Sequence, residues 1–271
     1  MLRMFITGGA SGLGKAIALA WASQNAKGIR ICVADIQEPK AAEAITELEA
    51  LGAEAYFQHC DITSQSSVDS AVATIRDKWG GVDVVINNAG VATGGSLTGE
   101  SQEQWQWVFN INLFSMVRVC QAFAPMLKQQ GSGYFINISS QAGLTPIPYM
   151  NSYNAVKSAV IALSETMRLE LVSDGVDVSV VCPGFFKTGL GDSMRTSEPG
   201  LKKLMHKAFE NAELDAEQVA AEIVRQAQQR KFLIQTHSIG KKAYLMKRFL
   251  PLERYLRYMS KKTKHLKKYT Q

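Results

Sequence analysis

The chain has 271 residues, close to half of them apolar, with four cysteines and a formal net charge of +6; that length suits one large domain or two small ones with a sizeable core. Cys32, Cys60, Cys120 and Cys182 lie far apart in apolar segments, and neither they nor the four histidines have metal-ligand spacing. That pattern argues against a metal centre or disulfide framework and for free thiols in a reducing compartment.

No apolar run approaches the ~18–20 residues of a membrane span. Met1–Ile6 passes straight into a glycine-rich turn without the separate apolar stretch of a signal peptide, so a cytoplasmic protein is expected. Leu2–Ile6 is short and apolar, as a buried parallel strand would be, and ends in Thr7-Gly8-Gly9-Ala10-Ser11-Gly12-Leu13-Gly14. Helical periodicity follows over Lys15–Ala26. Glycines between a strand and a helix let the backbone approach a ligand, and the helix amino terminus offers N–H groups and positive dipole to a pyrophosphate. Ile29–Ala34 reads as a second strand with Asp35 at its carboxyl end, 21 residues after Gly14. An acid there accepts the hydroxyls of an adenosine ribose and repels a 2′-phosphate. Neither Ile36, Gln37 nor Ser11 is basic, so nothing nearby would hold that phosphate.

The alternation continues with a helix over Lys40–Leu51, a strand over Ala53–His59, a helix over Ser66–Trp79 and a strand over Val82–Ile86. Asn87-Asn88-Ala89-Gly90 closes that fourth strand, where amides and a glycine can pack on a cofactor. Such βα repetition predicts an α/β protein built on a single Rossmann-type, doubly wound parallel sheet of about seven strands, with helices on both faces. Ligands of such sheets sit beyond the carboxyl ends of the strands, at the reversal of strand order. Ser101 and Gln104 have capping-box spacing for one long helix over Gln102–Lys128. On its inner face Asn112 is the odd member, either a satisfied structural amide or a device for holding water.

The strand Tyr134–Ile138 delivers Ser139 and Ser140, and after a Gly/Pro-rich loop a helix opens near Ser152 and runs to about Ser173. Tyr153 and Lys157 lie four apart on it, so both reach one small volume. A phenol is a poor base at neutral pH; an adjacent ammonium is expected to lower its pKa into range for proton transfer with an alcohol, and Ser140 can hydrogen-bond the same oxygen. Val176–Cys182 reads as a sixth strand, followed by Pro183-Gly184-Phe185-Phe186-Lys187-Thr188. From there to Ala212 the sequence looks irregular, which suggests a mobile lid over about 184–213. Asp215 caps a helix to about Gln229, and Phe232–Gln235 is a final short strand.

Together these motifs resemble the short-chain dehydrogenase/reductase family in its compact single-domain branch, over about residues 2–236. The resemblance implies a cofactor site of Thr7, Gly8, Ser11, Gly12, Leu13 and Gly14, with Asp35 at the ribose and Asp61, next to Ile62, at the adenine. Asn88, Ala89 and Gly90 belong to the same site, and Pro183, Gly184 and Thr188 would position the nicotinamide. Asn112, Ser140, Tyr153 and Lys157 match the catalytic tetrad. Tyr153 would be the general acid/base and Ser140 would orient the substrate oxygen. Lys157 would hold the nicotinamide ribose and Asn112 would anchor a relay water. An NAD(P)-dependent oxidoreductase interconverting a secondary alcohol with a ketone or aldehyde is expected, with NAD rather than NADP because of Asp35.

The alternative is a non-catalytic dinucleotide-binding regulatory or scaffold protein, whose usual mark would be a broken tetrad; an epimerase or dehydratase of the longer branch would need a larger C-terminal domain. Gln141, Tyr149, Phe185 and Phe186, with Thr145, Ile147, Met150, Leu190, Met194, Met205 and Phe209, are the pocket candidates, and their apolar character predicts a hydrophobic substrate. Relatives are commonly homodimers or homotetramers, so the same is expected here. Residues 1–238 are expected to form the catalytic domain and 239–271 a basic amphipathic extension. From Gly240 onward eleven Lys/Arg face one acid, a net +10 that leaves the rest of the chain at −4. This tail, with Pro251 splitting it into two short helices, suits an anionic membrane surface, or packing on the body or a second subunit. Nucleic acid is not expected as a partner.

Overall fold

The computed structural model describes residues 1–25 and 28–269. Among these, seven strands form one sheet: β1 (Leu2–Thr7), β2 (Ile29–Asp35), β3 (Glu54–His59), β4 (Val84–Asn87), β5 (Gly133–Ile138), β6 (Val176–Val181) and β7 (Leu233–Ile234). Every pairing is parallel, and the spatial order is β3-β2-β1-β4-β5-β6-β7. The order reverses between β1 and β4, so a crevice opens beyond their carboxyl ends.

Strand side chains alternate between two apolar layers, as period-2 geometry requires. Met4 and Ile6 face one layer with Ile17 and Trp21 of α1 (Gly12–Gln24), Ala41 and Leu48 of α2 (Glu38–Ala50), and Val219 and Ile223 of α9 (Ala216–Gln228). Phe5 faces the other, against Val68 and Ile75 of α3 (Gln65–Trp79), Val119 and Phe123 of α5 (Ser115–Gln130), and Val160 and Met167 of α7 (Asn151–Leu171). All four cysteines are buried and unpaired. No helix among the described residues is long and apolar enough to cross a membrane.

Four local expectations need correction. The long helix over 102–128 is two helices, α4 (Gln102–Phe109) and α5, joined by a π turn at Asn110–Phe114. There the Ser115 N–H reaches back five residues to the Asn110 carbonyl, and the Ser115 hydroxyl bonds the Ile111 carbonyl. Ser101 caps α4 through the Gln104 N–H at 3.1 Å, but the Gln104 amide turns away to the Gly94 carbonyl, so the box is half made. The segment expected to be irregular contains α8 (Pro199–Glu210), whose Leu201, Met205 and Phe209 recur every four residues and are buried together. The last strand pairs over only two residues. Ala26, at the expected end of the first helix, lies outside the described residues.

The C-terminal segment folds as α10 (Ser238–Phe249), α11 (Leu252–Thr263) and a 3-10 stretch Lys264–Tyr269. Pro251 separates the two helices because it fixes its own φ and holds Leu250 extended (φ −81°, ψ 148°).

Candidate active site

The floor of the crevice is main chain. Gly8 and Gly12 have φ of +63° and +53°, the left-handed region that suits glycine. At Gly14 a Cβ would stand 2.2 Å from the Gly8 carbonyl and 2.5 Å from Nδ2 of Asn88, so only glycine lets α1 start this close to the turn. Asn88 Nδ2 donates to the carbonyls of Thr7 and Gly8, both at 3.0 Å, while Thr7 Oγ1 accepts the N–H groups of Asn88 and Ala89. The amino terminus of α1 carries no side-chain cap, so its free N–H groups face the cleft.

A cleft of about 800 Å³ runs over this cradle. Gly8, Ser11, Gly12, Leu13, Asp35, Asp61, Ile62, Asn88, Ala89, Gly90, Pro183, Gly184 and Thr188 line it together with Ser140, Tyr153 and Lys157. Thr7 and Gly14 shape the cradle from behind. Asp35 is held by three backbone N–H groups, those of Ala10, Ile36 and Gln37, at 2.8–3.1 Å. Asp61 Oδ1 accepts the N–H and hydroxyl of Thr63, which keep its carboxyl below the ordinary range. Lys40 also lines this end, a cation near Asp35 that the sequence reading overlooked.

At the other end, Ser140 lies between β5 and α6 (Gln141–Leu144), its hydroxyl accepting the Ala142 N–H at 3.1 Å. Tyr153 is buried and lines the cleft together with Ser140. Lys157 is buried beside it, its Nζ 5.8 Å from the Tyr153 ring centre and 3.1 Å from the Ile138 carbonyl. Asn112 is fully buried, and its amide donates to the Val91 carbonyl and accepts the Val91 N–H, both at 2.8 Å. These two bonds hold the Gly90–Val91 backbone next to Lys157.

Residues 3–199 match the family model of the short chain dehydrogenases. The chain belongs to this family. It is 36% identical over 190 residues to a "CLA biosynthesis dehydrogenase/reductase" of Lactiplantibacillus plantarum, covering 69% of this chain and 65% of that protein. It is 36% identical over 198 residues to a 3-oxoacyl-(acyl-carrier-protein) reductase of Synechocystis sp., covering 73% of this chain and 78% of that one. A crystal structure of a short chain dehydrogenase/reductase from Burkholderia phymatum in complex with NAD superposes with a TM-score of 0.84 at 30% identity, over 91% of this chain and 92% of the other.

In this member of the short-chain dehydrogenases the ligand-free electrostatics differ from the simple expectation. Burial pushes the Tyr153 phenol up to about 12, with neighbouring Ser140 pulling the other way. Burial also drives the Lys157 ammonium down to about 8. Both groups are thus biased towards neutrality, and desolvation outweighs the attraction that was expected to lower the phenol.

Of the pocket candidates, Gln141, Thr145, Ile147, Met150, Phe185, Phe186, Leu190 and Phe209 line the cleft. Gln141 is also tied to Thr145 Oγ1 and to the Gly240 carbonyl. Tyr149, Met194 and Met205 instead belong to the apolar cluster that backs the wall around Tyr153. At Tyr149 the chain turns through φ +66° and its carbonyl accepts the Gly95 N–H.

Two positioning residues escaped the sequence reading. Glu100, whose carboxyl pKa burial raises, caps the helix of Tyr153 by accepting the Ser152 N–H at 2.8 Å, where Met150 offers no side-chain cap. His237 accepts the Gly184 N–H at Nδ1 (3.0 Å), so its proton sits on Nε2, 2.9 Å from the Phe185 carbonyl. It clamps the loop after β6 as a neutral imidazole, and burial lowers its pKa.

Proposed function

We propose that the protein interconverts a hydrophobic secondary alcohol with its ketone or aldehyde, using NAD. The observation that carries this reading is the meeting of Ser140, Tyr153 and Lys157 at one end of a cleft whose other end is a glycine cradle beside Asp35. The cradle fits a dinucleotide because its floor has no side chains and its helix amino terminus is open to a diphosphate. When bound, NAD supplies the hydride acceptor.

The chain's own residues do the rest. Tyr153 Oη gives a proton to the substrate oxygen in reduction and takes it in oxidation, Ser140 Oγ orients that oxygen, and Lys157 Nζ holds the ribose next to the reacting ring. The apolar walls, among them Ala142, Ile147, Met150, Phe186 and Leu190, favour a hydrophobic substrate and exclude water. A relative named for reducing 3-oxoacyl groups adds support for a carbonyl on an apolar chain. A panel of hydrophobic and of polar, charged alcohols and ketones, followed by NADH absorbance, tests this. Turnover confined to the polar, charged members overturns the substrate class, and no turnover at all favours a non-catalytic binding module.

Asp35 sets the cofactor preference, since a 2′-phosphate would meet its carboxylate. Asp35→Ser removes that charge and leaves Lys40, so kcat/KM with NADP should rise at least about tenfold while that with NAD falls. Comparable kcat/KM values for the two cofactors in the wild type overturn the preference. We infer a homodimer or homotetramer as well, for which exposed Phe114, Leu169 and Val172 offer apolar surface; light scattering that finds a monomer overturns this. The four buried, unpaired thiols support a cytoplasmic setting.

A further inference from the structure

We propose that the C-terminal extension, residues 239–269, is a docking element for an anionic lipid bilayer, with the corner Phe249–Leu252 as its inserting tip. The corner is an apolar knuckle between two basic helices. Phe249 is 77% exposed, Leu252 56% and Leu256 49%, with Leu250 and Pro251 exposed between them. Isolated exposed apolar side chains are ordinary, but four consecutive ones at a helix–helix corner are not.

The corner is held in shape. Leu250 donates its N–H to the Met246 carbonyl, and the N–H groups of Arg254 and Tyr255 both return to the Pro251 carbonyl. Tyr255 is buried, so α11 turns this residue inward and leaves Leu252 and Leu256, one turn apart, facing out with Tyr258. On α10, Ile239, Lys242 and Leu245 are all exposed and recur every three residues, which mixes apolar and basic side chains on one outer stripe.

Charge selects the occupant. Arg248, Arg254, Arg257, Lys261 and Lys262 are exposed on both sides of the corner, and the segment from Gly240 carries eleven cations against one acid. A second copy meeting this face through a two-fold axis would set like charge against like. An anionic phospholipid surface neutralises the cations and accepts the apolar tip together, the combination an interfacial helix uses.

The element also reaches the cleft. Lys247 Nζ donates to the Leu144 carbonyl at 2.6 Å, and Gln141, which lines the cleft, bonds the Gly240 carbonyl. At its far end Tyr269 lies against α8, so close that a Cβ at Gly200 would come 2.8 Å from the Tyr269 carbonyl oxygen. Docking therefore acts on a segment that is bonded to cleft-lining Gln141 and packed against α8. For a hydrophobic substrate, which rests on the proposed function, the bilayer becomes the source.

Sedimentation with vesicles tests docking without any turnover, so its failure and that of the dehydrogenase reading are separable. The full chain should bind phosphatidylcholine vesicles containing about one third phosphatidylglycerol at least about tenfold more tightly than pure phosphatidylcholine, and high salt should weaken that binding. The pair Phe249→Asp/Leu252→Asp should lose most of the anionic-vesicle binding with an unchanged Tm, because both side chains are exposed. Equal binding to both vesicle types, or none to the anionic one, overturns the proposal in the wild type alone. So does a double variant that still binds, or one whose only change is a smaller assembly by light scattering, which would make the corner a contact between copies.

Discussion

Tyr153→Phe should lower kcat by roughly 10²–10⁴-fold while leaving the fold and NADH binding in place. The change removes one oxygen from a buried ring and leaves it in the apolar cluster it shares with Met150 and α8. The Ser140 hydroxyl keeps the Ala142 N–H. Because burial holds the phenol near 12, the free protein is stocked with the acid needed for reduction and short of the base needed for oxidation. Alcohol oxidation should therefore rise with pH from neutrality into the alkaline range, whereas reduction should not, and the Tyr153→Phe variant should show no such rise. The phenol also has a stability signature. Its folded pKa lies above the unfolded value of about 10, so its contribution is complete below that pH and is lost as pH rises through about 12. Steady-state kinetics in both directions at neutral and alkaline pH, with NADH binding followed by fluorescence, decide the matter. Turnover within a few-fold of wild type would remove Tyr153 from the chemistry.

The sheet and the cradle were legible because they are written in local pattern. Short apolar runs such as Leu2–Ile6 have few options but buried parallel strands, and Gly8, Gly12 and Gly14 have a backbone reason that spacing reveals. The π turn was not legible, since slipping one hydrogen bond at Asn110–Phe114 leaves the apolar repeat of the flanking helices intact. Helix α8 was hidden by Pro199, Gly200 and a run of lysines, although Leu201, Met205 and Phe209 carried its period. Glu100 and His237 were out of reach for another reason: their partners lie 52 and 53 residues away, so only the folded chain brings Ser152 and Gly184 to them. The direction of the Tyr153 shift failed similarly, and that of Lys157 was not foreseen. Proximity can be read from a four-residue spacing, but the depth of burial that outweighs it cannot.

Lys157→Met should make the ligand-free protein more stable at pH 7 and nearly inactive. A lysine is rarely buried without a counter-charge, and here the Nζ donates to the Ile138 carbonyl while burial lowers its pKa from 10.5 to about 8. At one pKa unit per ~1.4 kcal/mol, holding that ammonium charged at pH 7 costs on the order of 3 kcal/mol. Methionine fills similar space without the charge; the Ile138 carbonyl loses a donor, which costs about 1–3 kcal/mol and leaves a net gain of at most about 2 kcal/mol. The sign with pH follows from a folded pKa below the unfolded one. The deficit of the wild type is fully present below about pH 8 and disappears above 10.5, so the stability gap between variant and wild type should shrink as pH rises through that window. Activity should fall by roughly 10²–10⁴-fold, because the proposed hold on the ribose and the positive charge beside the phenol are both gone. Thermal unfolding of the two proteins at pH 7 and 10, set beside kcat, separates the effects. A variant less stable than wild type at pH 7, or one that keeps its kcat, would mean that Lys157 is a structural residue and that the site does not store strain for its chemistry.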